Sequence, residues 1–544
     1  MKILAIIPAR GGSKGIPRKN VRLLNDKPLI YYAINNALKS RYITDVYVSS
    51  DDDEILTIAK KFGAKIHKRD KNLSKDVTTL DPVIYSAYKE IKEKESKEYE
   101  LIITMQPTSP LLKTSSVDKA IEKMIKNPEI DTIISVKDDT HLSWRWENGK
   151  YLPNYKERVN RQYLTPIFTE TGGFLITRKN IITENSRIGK NVDLFVLKSP
   201  ESIDIDTYED WNLCEYYLRR KKILFVVRGN KKIGLGHVYN ALILANDIVE
   251  HDLMFLALND SKLAYNKISE KNYIIKFQEK DLIEEIESIN PDVVINDILD
   301  TDMKYISALK NLGIKVINFE DLGEGAKKAD LVINAIYPEK EIFPNHYFGH
   351  KYFLLRDEFL YSSQKEIRDV KNVLLTFGGV DPNNYTLKVL ESIYNYCQKN
   401  GININVIAGF GYDKYDTLEK FKNINILRNV TNISDYMLEA DIIFTSAGRT
   451  VYEVVSIATP TIVLAQNERE LTHFFASEEN GLLNLGLGYK VSNEEILENF
   501  KKLVESKALR EHMNKLMKET DLKSGRKRVK KLIFDVIEEE GWKY

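Results

Sequence analysis

A stretch near the start of the chain, Pro8-Ala9-Arg10-Gly11-Gly12-Ser13-Lys14-Gly15-Ile16-Pro17-Arg18-Lys19-Asn20, interleaves glycines with the cations Arg10, Lys14, Arg18 and Lys19. Glycine lets the backbone approach a ligand closely, and exposed N–H groups can cradle phosphate oxygens. The chemistry this fits is the binding of a polyphosphate. The spacing is neither that of a Walker A loop nor that of a dinucleotide fingerprint. On composition alone, a basic surface loop is the plain alternative. Further on, Ser202-Ile203-Asp204-Ile205-Asp206-Thr207 sets two carboxylates two residues apart. In extended chain they project from one face. Such a pair suits Mg²⁺, which takes few carboxylates and completes its shell with substrate phosphates. An acidic surface pair is the bland reading, and the phosphate loop on the same chain weighs against it.

Two further groups carry possible chemistry. Arg228-Gly229-Asn230-Lys231-Lys232-Ile233-Gly234-Leu235-Gly236-His237 runs from an apolar segment into a helical pattern over residues 238–248. That places a histidine at a helix start beside glycines, where it can take or give a proton near neutral pH. A lone histidine is more often structural, and the glycine-rich turn favours function here. Later, Phe377-Gly378-Gly379-Val380-Asp381-Pro382 and Ser446-Ala447-Gly448-Arg449-Thr450-Val451-Tyr452-Glu453 each follow an apolar run and can open a helix, a good position for phosphate. Glu453 can accept from ribose hydroxyls or simply serve the helix dipole. Gln466-Asn467-Glu468 reads as a ligand-facing loop or a plain polar one.

These residues need a scaffold, and the pattern supplies it. Apolar β-branched runs at 2–7, 45–49, 101–105 and 132–136 alternate with amphipathic segments. In 28–40, Leu29, Ile30, Ala33, Ile34, Ala37 and Leu38 repeat at helical spacing, and 53–62 does the same before Gly63. Continuous apolar strands between helices predict a parallel sheet covered on both faces. The pattern restarts after the charged join Arg219-Arg220-Lys221-Lys222, with strands at 223–227, 253–257, 293–296, 315–319 and 331–334. It restarts again near Lys371, with strands at 372–377, 402–408, 441–445 and 461–464. The predicted fold class is α/β: a doubly wound domain, then a two-lobed α/β module. The predicted boundaries are 1–220, 221–368 and 369–544.

The length of 544 residues fits several domains, and 43% hydrophobic with 29% charged residues is ordinary for packed globular ones. Lys+Arg of 80 against Asp+Glu of 79 argues against a nucleic-acid partner. No apolar run reaches the length of a membrane span. The only cysteines, Cys214 and Cys397, are far apart, which predicts a reducing, cytoplasmic setting.

With these motifs in place, residues 1–220 resemble the CMP–sialic acid synthetases, or N-acylneuraminate cytidylyltransferases. The resemblance rests on the phosphate loop, Ser49-Ser50-Asp51-Asp52-Asp53, Gln106-Pro107-Thr108-Ser109-Pro110-Leu111, Asn160-Arg161-Gln162, Thr171-Gly172-Gly173-Phe174 and Asp204-Ile205-Asp206, in family order. It implies that CMP passes from CTP to a nonulosonic acid with Mg²⁺ as cofactor. Arg10, Ser13, Lys14, Lys19 and Asn20 would hold CTP. Arg69 and Gln106 would complete the nucleotide and sugar contacts, and Arg161 with Gln162 would face the sugar acid. Asp204 and Asp206 would bind the metal, and Lys19 and Asp206 would act in catalysis. It also implies a homodimer. Leu112-Lys113 departs from the family, which often has arginine after Pro-Leu. A nucleotidyltransferase for another base is the competing reading.

Residues 222–535 resemble the pseudaminic-acid-pathway UDP-sugar hydrolases, relatives of the two-lobed, GT-B-like glycosyltransferases. The match rests on Ile-Gly-Leu-Gly-His at 233–237, Asp297, Gly378-Gly379 with Asp381-Pro382, and Ser446-Ala447-Gly448 with Glu453. It implies that His237 activates water against a UDP-sugar, that Asp297 orients it, and that Ser446, Gly448 and Glu453 hold the nucleotide. A short 228–234 loop without its acidic residue, and Asn240 where arginine is common, depart from the family. A glycosyltransferase and a non-catalytic nucleotide-binding module remain as alternatives.

Overall fold

The computed structural model describes residues 1–538 except 14, 76, 231–232, 339–343, 410 and 429. The chain forms two compact units, Met1–Arg220 and Lys221–Tyr544.

The first unit is built on a seven-stranded sheet in the order Val192–Val196, Thr132–Asp138, Phe168–Arg178, Leu101–Thr104, Ile3–Pro8, Asp45–Ser50, Lys65–Lys68. Along the first strand Ile3, Ala5 and Ile7 face one apolar core and Leu4 and Ile6 the other. Both faces are therefore covered, as a continuous apolar run demands. The helices Ile30–Lys39, Asp53–Lys61 and Thr114–Lys126 pack on one side and Leu80–Glu95 on the other. The sheet is not wholly parallel, contrary to the pattern-based expectation. Phe168–Arg178 runs antiparallel to both neighbours, with a register shift between Glu170 and Leu175. The irregularity lies at Gly172-Gly173, where the strand lacks side chains to pack.

The second unit has two parallel sheets of like topology. The first lobe orders its strands Ile275–Phe277, Asp252–Ala257, Lys222–Val227, Val293–Asp297, Lys315–Phe319, Leu331–Asn334, His346–Phe348. The second orders Ile424–Arg428, Asn403–Ala408, Asn372–Leu375, Ile442–Thr445, Thr461–Ala465, Leu482–Leu487. In each lobe the first strand lies between two that leave it in opposite directions. The crevice at its carboxyl end is the natural ligand position of such sheets. Together they make the two-lobed, GT-B-like arrangement.

The expected division at 368/369 is crossed in both directions. Phe353, Leu355 and Phe359 join the second lobe's core. The last helix, Gly525–Glu538, goes back to the first lobe, where Val529, Ile533 and Ile537 enter its core. Arg526 pairs with Asp247, and Lys530 Nζ donates to the Asp247 carbonyl at 2.7 Å. Helical periodicity announces that a helix is amphipathic, but not which core receives it. Among the described residues no helix is long and apolar enough to cross a membrane.

Ile533→Ala removes a fully buried side chain from the first lobe. It is expected to cost about 2–5 kcal/mol in denaturant unfolding of the second unit, with faster amide exchange in the strands of the first lobe.

Candidate functional site

In the first unit the loop 8–20 leaves the carboxyl end of the first strand and turns back against residues 204–206. Lys19 Nζ donates to the Ile205 carbonyl at 2.6 Å and lies 3.5 Å from Asp206 Oδ1. A Cβ on Gly15 would stand 2.7 Å from the Asp206 carbonyl oxygen, so only glycine permits this approach. Behind the contact, Ile16, Leu24, Leu29, Ile205, Trp211 and Cys214 form a small apolar cluster. Asn20 Nδ2 donates to the Arg10 carbonyl at 2.9 Å, bracing the loop across its width. Gly11 N donates to Asp51 Oδ1 at 3.1 Å. Arg18, in left-handed conformation, pairs with Asp52 Oδ2 at 2.7 Å. Against the penalty of burial, the Ile55 and Glu54 amides and Arg18 hold the Asp52 carboxyl below its ordinary value.

Asp204 and Asp206 differ in setting. Asp204 is half-buried; burial, then the charge of Asp206, pushes its carboxyl up. Ser109 Oγ donates to Asp204 Oδ1 at 3.4 Å. Asp206 has a side chain 79% exposed. A Cβ on Gly172 would fall 2.7 Å from Asp204 Oδ1, so the irregular strand makes room for this carboxylate. An acid that burial destabilises as an anion, next to an open one, is a donor set suited to a cation that also takes phosphate and water. Among the described residues no group of three or more His, Cys, Asp or Glu could hold a metal without such help.

Of the other expected residues, Ser13 lies half-buried in the loop, and Lys14 lies outside the described residues. Arg69 is buried and already donates to the Ser49 carbonyl at 2.7 Å. Burial lowers its guanidinium to about 10. Gln106 lines a small pocket with Thr104, Glu170, Gly172 and Arg187. Arg187, which donates to Asp81 at 2.7 Å and Thr104 Oγ1 at 3.0 Å, had no motif to announce it. Arg161 and Gln162 are exposed on a 3-10 turn, where Arg161 stands 3.9 Å from Asp138.

In the second unit, His237 is the second residue of the helix Gly236–Asp247, and its Nδ1 pairs with Asp297 Oδ1. Asp297 ends the neighbouring strand and is 1% exposed. Its Oδ2 has no partner among the described residues. Asn240, one turn on, accepts from Arg449 of the other lobe. The 228–234 turn lacks an acid of its own, and Asp260 stands there instead, accepting from Arg228 at 2.6 Å and Asn230 at 3.2 Å. In the other lobe Ser446 is buried beside Gly448. Glu453 accepts from Arg356 Nε at 2.7 Å, so one carboxylate oxygen is engaged within the protein. The acid at the Ser446–Gly448 turn is Glu470, which accepts from Ala447 N at 3.2 Å and Gln466 N at 2.8 Å. Burial pushes its carboxyl up. Gln466 Nε2 donates to Asp381 Oδ1 at 2.8 Å, a contact within the lobe.

A buried acid with no motif lies beside His237. Burial raises Glu320 from 4.5 to about 7, opposed by Arg449 and reinforced by Asp297.

Comparison with known proteins follows this division. A family model described as Cytidylyltransferase matches residues 4–151. A pseudaminic acid cytidylyltransferase of Campylobacter jejuni is 37% identical over 217 residues, 39% of this chain and 93% of that protein. An uncharacterized protein of Methanocaldococcus jannaschii is 34% identical over 275 residues, 45% of this chain. This chain spans only 56% of that relative's length. A Helicobacter pylori protein named pseudaminic acid cytidylyltransferase and UDP-2,4-diacetamido-2,4,6-trideoxy-beta-L-altropyranose hydrolase is 23% identical over 488 residues, 85% of this chain and 88% of that protein.

An acid whose folded-state value lies above its unfolded one keeps its proton longer when folded. The stability it supports is complete below the unfolded value and is lost as pH rises through the folded one. For Glu320 that window runs from 4.5 to about 7. Across it the second unit is expected to lose about 3 kcal/mol, a pH dependence that Glu320→Gln removes from the denaturation curves.

Proposed function

The chain belongs to the cytidylyltransferase family, and on that premise we propose that it is a bifunctional enzyme of nonulosonic acid activation. Residues 1–220 transfer CMP from CTP to a sialic-type acid, and the lobes 221–368 and 369–544 hydrolyse a UDP-amino sugar. The observation that carries the first activity is the approach of the 8–20 loop to Asp204 and Asp206, sealed at Lys19 and Gly15. The anomeric hydroxyl attacks the α-phosphorus of CTP and gives up its proton to a nearby carboxylate or water, the bond from the α-phosphorus to the bridging oxygen breaks, and pyrophosphate leaves carrying that oxygen. Loop amides with Arg10, Ser13, Lys14 and Lys19 bind the triphosphate, and Asn20 keeps the loop in shape. Arg69 fixes the strand end beneath the nucleotide. Gln106 and Arg187 line the sugar side, with Gln162 and Arg161, whose guanidinium suits the sugar carboxylate. Asp204 and Asp206 fit Mg²⁺, which when bound neutralises phosphate charge and polarises the phosphoryl group. Catalysis otherwise rests on positioning and charge compensation.

The second activity is supported by the His237–Asp297 pair and by the name of the Helicobacter pylori relative. Asp297 fixes the imidazole with its proton on Nδ1, leaving Nε2 to take a proton from water. The oxygen of that water bonds to the anomeric carbon, the bond to the UDP oxygen breaks, and UDP departs as an anion. Ser446, Gly448 and Glu453 hold the nucleotide, and Glu470 shapes their turn. The setting we propose is cytoplasmic. A homodimer through the first unit is supported by the hairpin Trp144–Glu147 and Lys150–Pro153, whose Trp144, Trp146 and Tyr151 are 55%, 62% and 72% exposed.

Pyrophosphate should appear with CTP and a nonulosonic acid but with no other nucleotide, and the CMP-sugar should be identified by mass. Lys19→Ala and Asp206→Asn are each expected to lower kcat/KM for this reaction by about a hundredfold or more. UDP should be released from a UDP-amino sugar in water, falling about 10²–10⁴-fold in His237→Ala. Release only with an added acceptor would make the second unit a glycosyltransferase. UDP binding without release, indifferent to His237→Ala, would make it a silent module. Trp146→Ala combined with Tyr151→Ala should convert dimers to monomers in light scattering.

A further inference from the structure

Glu320 plays no part in the hydrolysis as derived, yet it is built in at visible cost. It follows the strand Lys315–Phe319, which pairs with the strand ending in Asp297. Its backbone is left-handed, φ 53°, a conformation costly for a residue with a Cβ. Its side chain is 1% exposed, and neither carboxylate oxygen closes a hydrogen bond among the described residues. Burial alone does not explain this. The next residue, Asp321, is equally buried and accepts from Thr301 N, Thr301 Oγ1, Gly323 N and Asn318 Nδ2 at 2.6–3.0 Å. A glutamine or a methionine at 320 would avoid burying an acid whose one cation stands beyond close hydrogen-bond distance.

The groups that face Glu320 define what it can do. Asp297 and His237 approach it from its own lobe. Arg449 comes from the other lobe, with Nη1 3.6 Å from Oε1. The phenols of Tyr337 and Tyr452 complete the surroundings, and both feel its charge. Arg449 is also the donor to Asn240 on the helix that begins at His237, and its guanidinium lies 4.7 Å over the Phe353 ring.

We propose that Glu320 is a positioning residue for the His237–Asp297 pair, a buried carboxyl whose ionisation alters the charge around the imidazole and so sets the pH range in which His237 serves as base. It does not touch substrate. The proposal rests on the hydrolase reading of this unit. With Glu320 protonated, Asp297 is the anionic partner of His237 among the described residues, and Arg449 is held by Asn240. With Glu320 ionised, a second negative charge faces the ring and favours its cationic form, while Arg449 counters it from the other side. Burial raises this ionisation to about 7.

The test uses the full-length protein, Glu320→Gln and Glu320→Met, neither of which can ionise at this position. One readout is the pH profile of UDP release from a UDP-amino sugar. The other needs no turnover: carbethoxylation of His237 by diethyl pyrocarbonate against pH, read by mass spectrometry of its peptide. Both variants are expected to move both curves to lower pH by about half a unit or more, with melting temperature held or raised. Curves that superimpose on wild type after scaling overturn the proposal, whatever happens to the rate. If one variant fails to fold, the other gives the answer. If the wild type releases no UDP, the hydrolase reading fails by itself, and the carbethoxylation curves still decide the role of Glu320.

Discussion

The first site depends on one contact between distant parts of the chain, the Lys19 ammonium on the Ile205 carbonyl. Closing so long a loop is entropically costly, and a single half-buried hydrogen bond would not hold it. The apolar cluster of Ile16, Leu24, Leu29, Ile205, Trp211 and Cys214 supplies the attraction. The hydrogen bond and the missing Cβ at Gly15 supply the register. The capping box of Thr207 and Asp210 then fixes where the helix Tyr208–Arg219 begins, so Asp204 and Asp206 stay in the extended segment before it. Apolar attraction sets the distance, and directional bonds choose which carboxylate faces which cation.

The second unit uses the same physical plan with a different payload. In both, a buried parallel strand ends in a glycine-bearing turn; in the second unit a helix start follows at Gly236, and in the first the loop runs into the 3-10 turn Lys19–Val21. In the first unit the neighbouring strand end contributes Ser49 to Asp53, and in the second it contributes Asp297. The difference lies in how anions are tolerated. Near the first loop, carboxylates such as Asp52 are paid off with amides and an arginine. Around His237, one oxygen of Asp297 closes no hydrogen bond among the described residues, and Glu320 has only the Arg449 guanidinium at 3.6 Å. The first arrangement accommodates charge on a ligand; the second keeps proton affinity within the protein.

Much of this was legible in the residues themselves. Apolar runs marked the parallel strands because both sheet faces are buried, and the glycine-bearing segments fall at the carboxyl ends of those strands. The extended segment of Asp204 and Asp206, and the helix that begins at His237, were readable from local spacing. What escaped had no local signature. Phe168–Arg178 shows no regular alternation and is interrupted by two glycines, so nothing in it declared an antiparallel partner on each side. Arg187, Glu470 and Glu320 belong to no motif, and their partners come from strands and turns far away in sequence. Glu453 stood at a first-turn position that invites a ligand, yet Arg356, nearly a hundred residues earlier, takes one of its oxygens.

The return of the helix Gly525–Glu538 to the first lobe bears on how the protein is made. The first unit is complete in sequence once residue 220 has been synthesised, and it can fold while the rest is still being translated. The first lobe behind it cannot do so. Its sheet emerges early, but part of its apolar cover is encoded at the far end of the chain. Through the synthesis of the entire second lobe, that uncovered face is a place for a chaperone to bind or for a neighbouring nascent chain to stick.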